Sequence, residues 1–252
     1  MRRVSAIFAL QLLVVFVAAC GSDDQKDGSA SSGSGGSGGE TTATAPAETT
    51  PGETTPGEAD GGNPPVGANG CQQVEAPAAK PDGGAKKPKG KLDPSKTWTL
   101  DVRTSCGVFT VKLDLDAGPK AAASMVSLAK AGFFEDTVFH RIVPGFVIQG
   151  GDPTASGTGG PGYSTVDPPP RNAKYTFGVV AMAKSPAEKP GTAGSQFYVV
   201  TGQDAGLPPD YAIIGKVTKG ADIVRRIGEL GDPATEQPTQ PVVVYEVTAK
   251  SS

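Results

Sequence analysis

Two neighbouring segments alternate apolar and polar side chains with a period of two. Trp98, Leu100 and Val102 share one face of the first, with Thr99, Asp101 and Arg103 on the other. Phe109, Val111, Leu113 and Leu115 share one face of Val108–Leu115. Successive side chains of a strand point to opposite faces, so both segments are half-buried strands. Ser105-Cys106-Gly107 lies between them and reads as a hairpin turn. A hairpin with one apolar face must be covered by the rest of the chain.

The period then changes. Pro119–Ala131 places Ala121, Met125 and Leu128, with Ala122, Val126 and Ala129, on one stripe of a helix. Pro119 suits its first position and Gly132 its stop. Ala221–Leu230 predicts a second helix, with Ile223, Ile227 and Leu230 inward and Gly231 as its cap. Short strands are expected at Val138–Val143, Phe146–Gln149, Thr176–Ala183, Phe197–Thr201, Ala212–Val217 and Val242–Ala249. Many short strands with two helices indicate a mainly β protein built on a closed sheet. Asp152–Lys174 and Lys184–Gly194 are long Gly- and Pro-rich loops, a length that is usually functional or mobile in a compact domain.

The first seventy residues follow other rules. Arg2-Arg3, an apolar run Val4–Val17 and the small residues Ala18-Ala19 form an export signal, too short for a comfortable membrane span. Cys20 follows at once. Val17-Ala18-Ala19-Cys20 looks like a bacterial lipoprotein signal, which assigns 1–19 to the signal peptide and lipidation to Cys20; an ordinary secretory signal with an incidental Cys is the alternative. Residues 20–70 contain GSASSGSGGSGG and the near-repeat ETTPGETTPGE and cannot form a core, so they read as a flexible tether. With 35 Gly and 23 Pro and only 6% aromatics, the whole chain has the composition of one that is packed only in part, and this tract contains no aromatic residue at all. Residues 71–96 form a basic Pro/Gly-rich arm, and 97–252 the folded domain. A net charge of −3 is too small to argue for a nucleic acid or an acidic surface as partner.

The chain has three cysteines. With Cys20 lipidated, Cys71 and Cys106 remain in a compartment that permits disulfides, and a bond between them would pin the arm against the first strands. Two free thiols are the alternative. No Cys-His cluster has metal-ligand spacing, so no metal and no other cofactor is expected.

The stretch Phe139–Gly151, FHRIVPGFVIQGG, holds the only His of the chain and, in an apolar run, Arg141. A charge at such a place points outward or is held for a purpose. The stretch resembles the active-site signature of the cyclophilin-type peptidyl-prolyl cis-trans isomerases. GDPTASGTGGPGY (151–163), FGVVAMAKSP (177–186), AGSQFYVVT (193–201) and YAIIGKV (211–217) continue the likeness in order, from about Trp98 to Thr248. The resemblance implies an eight-stranded antiparallel closed barrel capped by two α-helices, with the site on its outer face. It implies that Arg141, with Phe146 and Gln149, is catalytic. It maps a proline pocket onto Phe146, Val147, Tyr198 and Leu207, and peptide contacts onto Gly157, Ala183, Lys184, Ser185, Gln196 and Tyr211. Taken without the resemblance, Arg141 fits a structural ion pair equally well, the apolar residues fit ordinary core, and each Gln fits structural hydrogen bonding.

The chain departs from many eukaryotic members at several places. Gly206 stands for a Trp, Tyr211 for a His, Tyr198 for a Phe, Val147 for a Met and Lys184 for an Asn. Weak cyclosporin sensitivity is therefore expected. A hydrolase would need His140 with Ser195, but AGSQF is no nucleophile elbow. Gly157–Gly162 fits G-x-G-x-x-G, but no helix follows it. The expected protein is a lipid-anchored, extracytoplasmic isomerase that assists folding of exported proteins by acting on their proline-containing segments, as a monomer since no spare apolar patch is visible. Alternatives are a catalytically weak proline-peptide binding module and a surface holding chaperone.

Overall fold

The computed structural model describes residues 64–252. The signal segment, Cys20 and the tether up to residue 63 lie outside the described residues. Two helices and eleven strands follow: β1 (Trp98–Thr104), β2 (Gly107–Leu113), α1 (Pro119–Lys130), β3 (Thr137–Val138), β4 (Arg141–Val143), β5 (Val147–Gly150), β6 (Thr165–Val166), β7 (Val179–Met182), β8 (Thr192–Ala193), β9 (Phe197–Val200), β10 (Ile213–Lys219), α2 (Ala221–Gly228) and β11 (Val243–Ser251).

Nine strands form one antiparallel sheet in the order β3-β11-β1-β2-β10-β7-β9-β5-β4. Its edge strands, β3 and β4, are consecutive in the chain and parted only by Phe139 and His140. The sheet therefore curls until its edges meet. Counted as one interrupted strand, β3 and β4 bring the total to eight, the barrel that the resemblance implied. The expected continuous strand Val138–Val143 is broken because its two halves serve opposite edges: Val138 pairs with Val243 of β11, whereas Ile142 pairs with Ile148 of β5.

The hairpin β1–β2 runs in register from Thr99 opposite Lys112 to Thr104 opposite Gly107. Leu100, Val102, Phe109, Val111 and Leu113 are buried, as their alternation requires. They join Phe139, Ile142, Ile148, Val180, Met182, Phe197, Val199 and Ile214 in the main core. Helix α1 covers it with Ala121, Ala122, Met125, Val126, Leu128 and Ala129. Its first N–H groups have no local cap; the buried Asp167 carboxylate accepts from Lys120 N and Ala121 N at 2.9 and 2.7 Å. Helix α2 buries Val224 and Ile227 and stops at Gly228, short of the expected Leu230. Gly231 is not its cap. It sits where the Ile142 carbonyl passes too close for any β-carbon.

The two long loops meet. β6 and β8 form a separate two-stranded sheet, with Thr165 opposite Ala193 and Val166 opposite Thr192. Cys71 and Cys106 are joined by a disulfide. Val66, at the end of the compositional tether, already bridges Gln72, and Asn69 donates to Gln240 at 2.8 Å.

Candidate active site

β5, β7 and β9 are buried on both faces, so each strand serves two cores. Ile148, Val180, Met182, Phe197 and Val199 point into the barrel. The residues between them, Val147, Val179, Ala181, Tyr198 and Val200, build a second cluster with Tyr175 on the outer face. Phe146, Ala183, Leu207, Tyr211 and Ile213 pack at its rim. Cross-strand register brings Arg141 opposite Gln149, Gln149 opposite Tyr198, and Tyr198 opposite Ala181. A row from four strands thus crosses the outer face with a guanidinium at one end.

A hollow of about 230 Å³ opens over this row, lined by Arg141, Phe146, Val147, Gln149, Ala183, Lys184, Tyr198, Leu207 and Tyr211. All nine were named from the sequence. The remaining peptide contacts, Gly157, Ser185 and Gln196, line an adjoining hollow of about 550 Å³ that shares Gln149, Ala183 and Lys184.

The polar groups form a chain. Arg141 Nε donates to Glu236 Oε2 at 2.7 Å, and Nη1 reaches Gln149 Oε1 at 3.5 Å. Gln149 Nε2 donates to Gln196 Oε1 at 3.0 Å, and Gln196 Nε2 to Gly159 O at 2.9 Å. Glu236 turns one edge of the guanidinium outward. Among the described residues Nη2 makes no hydrogen bond. The Phe146 turn is held by Phe146 N donating to Val143 O, while Phe146 O accepts from Thr201 N at 2.9 Å.

The aromatic wall is fixed by a residue the sequence reading did not single out. Tyr175 Oη donates to Tyr211 O at 2.7 Å and accepts from Tyr211 N at 3.0 Å. Its ring meets those of Tyr198 and Tyr211, which pack edge-on at 5.7 Å. Burial, reinforced by the neighbouring Tyr175, Tyr211 and Asp210, pushes the Tyr198 phenol far up, so Tyr198 stays neutral. Lys184 brings no free charge to the hollow: its ammonium pairs with Asp210 at 2.6 Å and its side chain is 2% exposed. Gly206 has nothing within 4 Å of the place a side chain would take, so this rim is open.

His140 and Ser195 do not form a catalytic pair. Among the described residues both ring nitrogens of His140 are buried without a partner, and Ser195 Oγ donates to Gly151 O at 2.7 Å. Burial lowers the His140 pKa, nearby Asp152 raises it in part, and Arg141 lowers it again, so the ring is neutral at pH 7. The GTGGPG loop is tied to a carboxylate of its own: Asp152 accepts from Gly157 N, Gly159 N and Thr154. Burial raises the Asp152 pKa, but these bonds outweigh it and hold the group below the usual carboxylate range.

The profile of the cyclophilin type peptidyl-prolyl cis-trans isomerase family matches residues 99–249. The chain belongs to this family. It is a peptidyl-prolyl cis-trans isomerase. It is 36% identical over 149 residues to peptidyl-prolyl cis-trans isomerase-like 1 of Neurospora crassa, covering 58% of this chain and 90% of that protein. Peptidyl-prolyl cis-trans isomerase A of Mycobacterium tuberculosis is 33% identical over 174 residues, covering 62% and 93%. Among solved structures, the cyclophilin type isomerase of Cryptosporidium parvum matches with a TM-score of 0.57 at 28% identity, covering 62% of this chain and 99% of that one. The same protein was also crystallised in the presence of the dipeptide Ala-Pro. In this member of the family the sequence pointed to the hollow but not to Glu236, Asp210 or Tyr175. Each lies far along the chain from its partner and carries no local motif.

Proposed function

We propose that the smaller hollow takes the proline ring of a polypeptide and that Arg141 drives its isomerisation. The bond before proline crosses a barrier of ~18–20 kcal/mol because resonance gives its C–N bond double-bond character. Isomerisation exchanges no atoms, so the site needs only to bind the twisted state better than either planar state. In the twisted state the prolyl nitrogen becomes pyramidal and regains a lone pair. A fixed donor aimed at that nitrogen stabilises it. Arg141 suits this role: its charge is permanent, Glu236 holds Nε, and Nη2 makes no hydrogen bond among the described residues. Phe146, Val147, Tyr198 and Leu207 supply the apolar wall, while Gln149, Gln196 and the backbone of Ala183–Ser185 hold the flanking peptide. The observation that carries the reading is a guanidinium at the edge of an apolar hollow of a size suited to a proline ring.

We also infer that the enzyme works outside the cytoplasm, lipid-anchored through Cys20 to the membrane, on exported chains. The lipoprotein-like signal supports this, and so does the Cys71–Cys106 disulfide, a kind of bond common in oxidising compartments and rare in the cytosol. Replacing Cys20→Ala would release the protein from the membrane fraction; full retention of that variant counts against the anchor.

The activity test is isomerisation of a short Ala-Pro peptide by the full chain in detergent, wild type beside Arg141→Ala. A rate lowered about a hundredfold, or ~2.7 kcal/mol, fits the loss of one fixed donor. A folded wild type that binds the peptide but does not accelerate isomerisation would favour the binding-module alternative, to which the open rim at Gly206 also lends itself.

A further inference from the structure

The family match begins at residue 99, yet the second hollow has a lining residue from before it, Asp82 of the arm. The arm is fastened along its length. Cys71 is bonded to Cys106, and Gln72 N donates to Ser105 O at 2.7 Å. Lys80 Nζ donates to the carbonyls of Phe133 and Glu135, both at 2.8 Å. From there the arm runs beside the GTGGPG loop. Lys80 N donates to Pro153 O at 2.8 Å, Gly83 N to Gly160 O at 2.9 Å and Ala85 N to Pro161 O at 3.1 Å. Lys87 Nζ reaches Ser164 O at 2.7 Å. Asp82 Oδ1 accepts from Gly160 N at 2.7 Å. Both hydrogen-bonding groups of Gly160 are therefore taken by the arm.

The other side of the same peptide unit faces the site. Gly159 O accepts from Gln196, whose own carbonyl accepts from Gln149, which in turn contacts Arg141. A loop with glycines at 157, 159, 160 and 162 has wide conformational freedom and does not hold a carbonyl in place unaided. Asp152 ties it from within at Gly157 and Gly159. Beyond Gly159 the arm supplies the backbone partners. Asp82 lies outside residues 99–249, which the family profile covers.

We propose that Asp82 is a positioning residue of this enzyme, and that segment 80–87 is an added wall of its peptide site. By fixing Gly160, Asp82 sets Gly159 O, and through it the amides of Gln196 and Gln149, before the peptide arrives. Preorganisation of this kind strengthens binding because ordering is not left to the binding event. The benefit falls on peptides long enough to extend from the proline hollow into the second hollow. The inference rests on the site reading given above.

The test compares the full chain in detergent, wild type, Asp82→Ala and Asp82→Asn, on an Ala-Pro tetrapeptide and on a decapeptide with one central proline. Peptide affinity, steady-state rates and amide exchange at Gly160 are read together. Asp82→Ala is expected to speed exchange at Gly160 and to weaken affinity for the decapeptide about fivefold, with the loss in KM rather than kcat and a smaller loss on the tetrapeptide. Asp82→Asn keeps the accepting oxygen and should restore most of the affinity. Equal weakening on both peptides, equal effects of the two variants, or unchanged exchange at Gly160 would each overturn the proposal. A wild type that binds both peptides without accelerating isomerisation sinks the catalytic reading alone, because the affinity and exchange comparisons still decide the role of Asp82.

Discussion

Arg141 is useful only because of what holds it. Its ion pair with Glu236 is partly exposed on both sides, with side-chain exposures of 34% and 46%, so it adds little to stability. Its value is directional. Glu236 itself sits at φ 60°, a left-handed conformation uncommon outside Gly, Asn and Asp. Replacing Glu236→Ala should lower kcat/KM about tenfold while the melting temperature barely moves, since the guanidinium loses orientation and the fold loses only a surface pair. Glu236→Gln, which still accepts from Nε, should recover part of the rate. His140, next in the chain, sets a pH dependence. Its folded pKa lies below the ordinary 6.5 because burial disfavours the charged ring. Above that value both folded and unfolded chains carry neutral His and nothing changes. As pH falls below about 6.5 the unfolded chain takes up the proton first, so stability drops until the folded pKa is reached. Denaturant unfolding at pH 7.5 and 5.5 should show this loss in the wild type and a smaller one in His140→Gln.

The outer-face strands explain why the site was hard to see by pattern alone. Val147, Ile148, Val199 and Val200 are all buried, so β5 and β9 show no alternation to separate the barrel core from the peptide site. Only register decides: Ile148 pairs with Val199 on the inner face, and Val147 with Val200 on the outer. Adjacent residues should therefore fail in different ways. Ile148→Ala leaves a cavity inside the barrel and should cost about 2–5 kcal/mol of stability, with kcat/KM of the folded fraction retained. Val147→Ala should chiefly raise KM, because it widens the hollow that receives the proline. Denaturation midpoints beside steady-state rates distinguish the two. The long loops taught the opposite lesson. Their length read as functional or mobile; β6 and β8 pair them, Asp152 ties the first to itself, and both line the larger hollow.

At the scale of the molecule the disulfide and the arm act together. Cys71–Cys106 closes a loop of 35 residues, and constraining such a loop in the unfolded chain is worth about 4 kcal/mol. Reduction should lower the melting temperature by about 10 °C for a folded region of this size, as a thermal scan with and without reductant would show. The arm begins at that bond, so reduction also frees its first turn. The decapeptide should then lose affinity in the same sense as with Asp82→Ala.

Local patterns sufficed for much of this protein. The alternation around Ser105-Cys106-Gly107 determined the first hairpin, the 3.6-residue stripe of Ala121, Met125 and Leu128 determined α1, and cysteine counting, with Cys20 set aside as lipidated, pointed to the Cys71–Cys106 pairing that the structure contains. The family resemblance carried by the blocks from Phe139 to Val217, rather than any local pattern, named every residue that lines the smaller hollow. Periodicity and short motifs are properties of neighbouring residues, and these features depend on neighbours. Tertiary structure alone decided that Glu236 orients Arg141 across 95 positions, that Asp167 caps α1 from 46 and 47 positions away, and that Asp82 holds Gly160 across 78. A hydrogen-bond partner at such separation is chosen by how the barrel closes, and no local spacing records that choice.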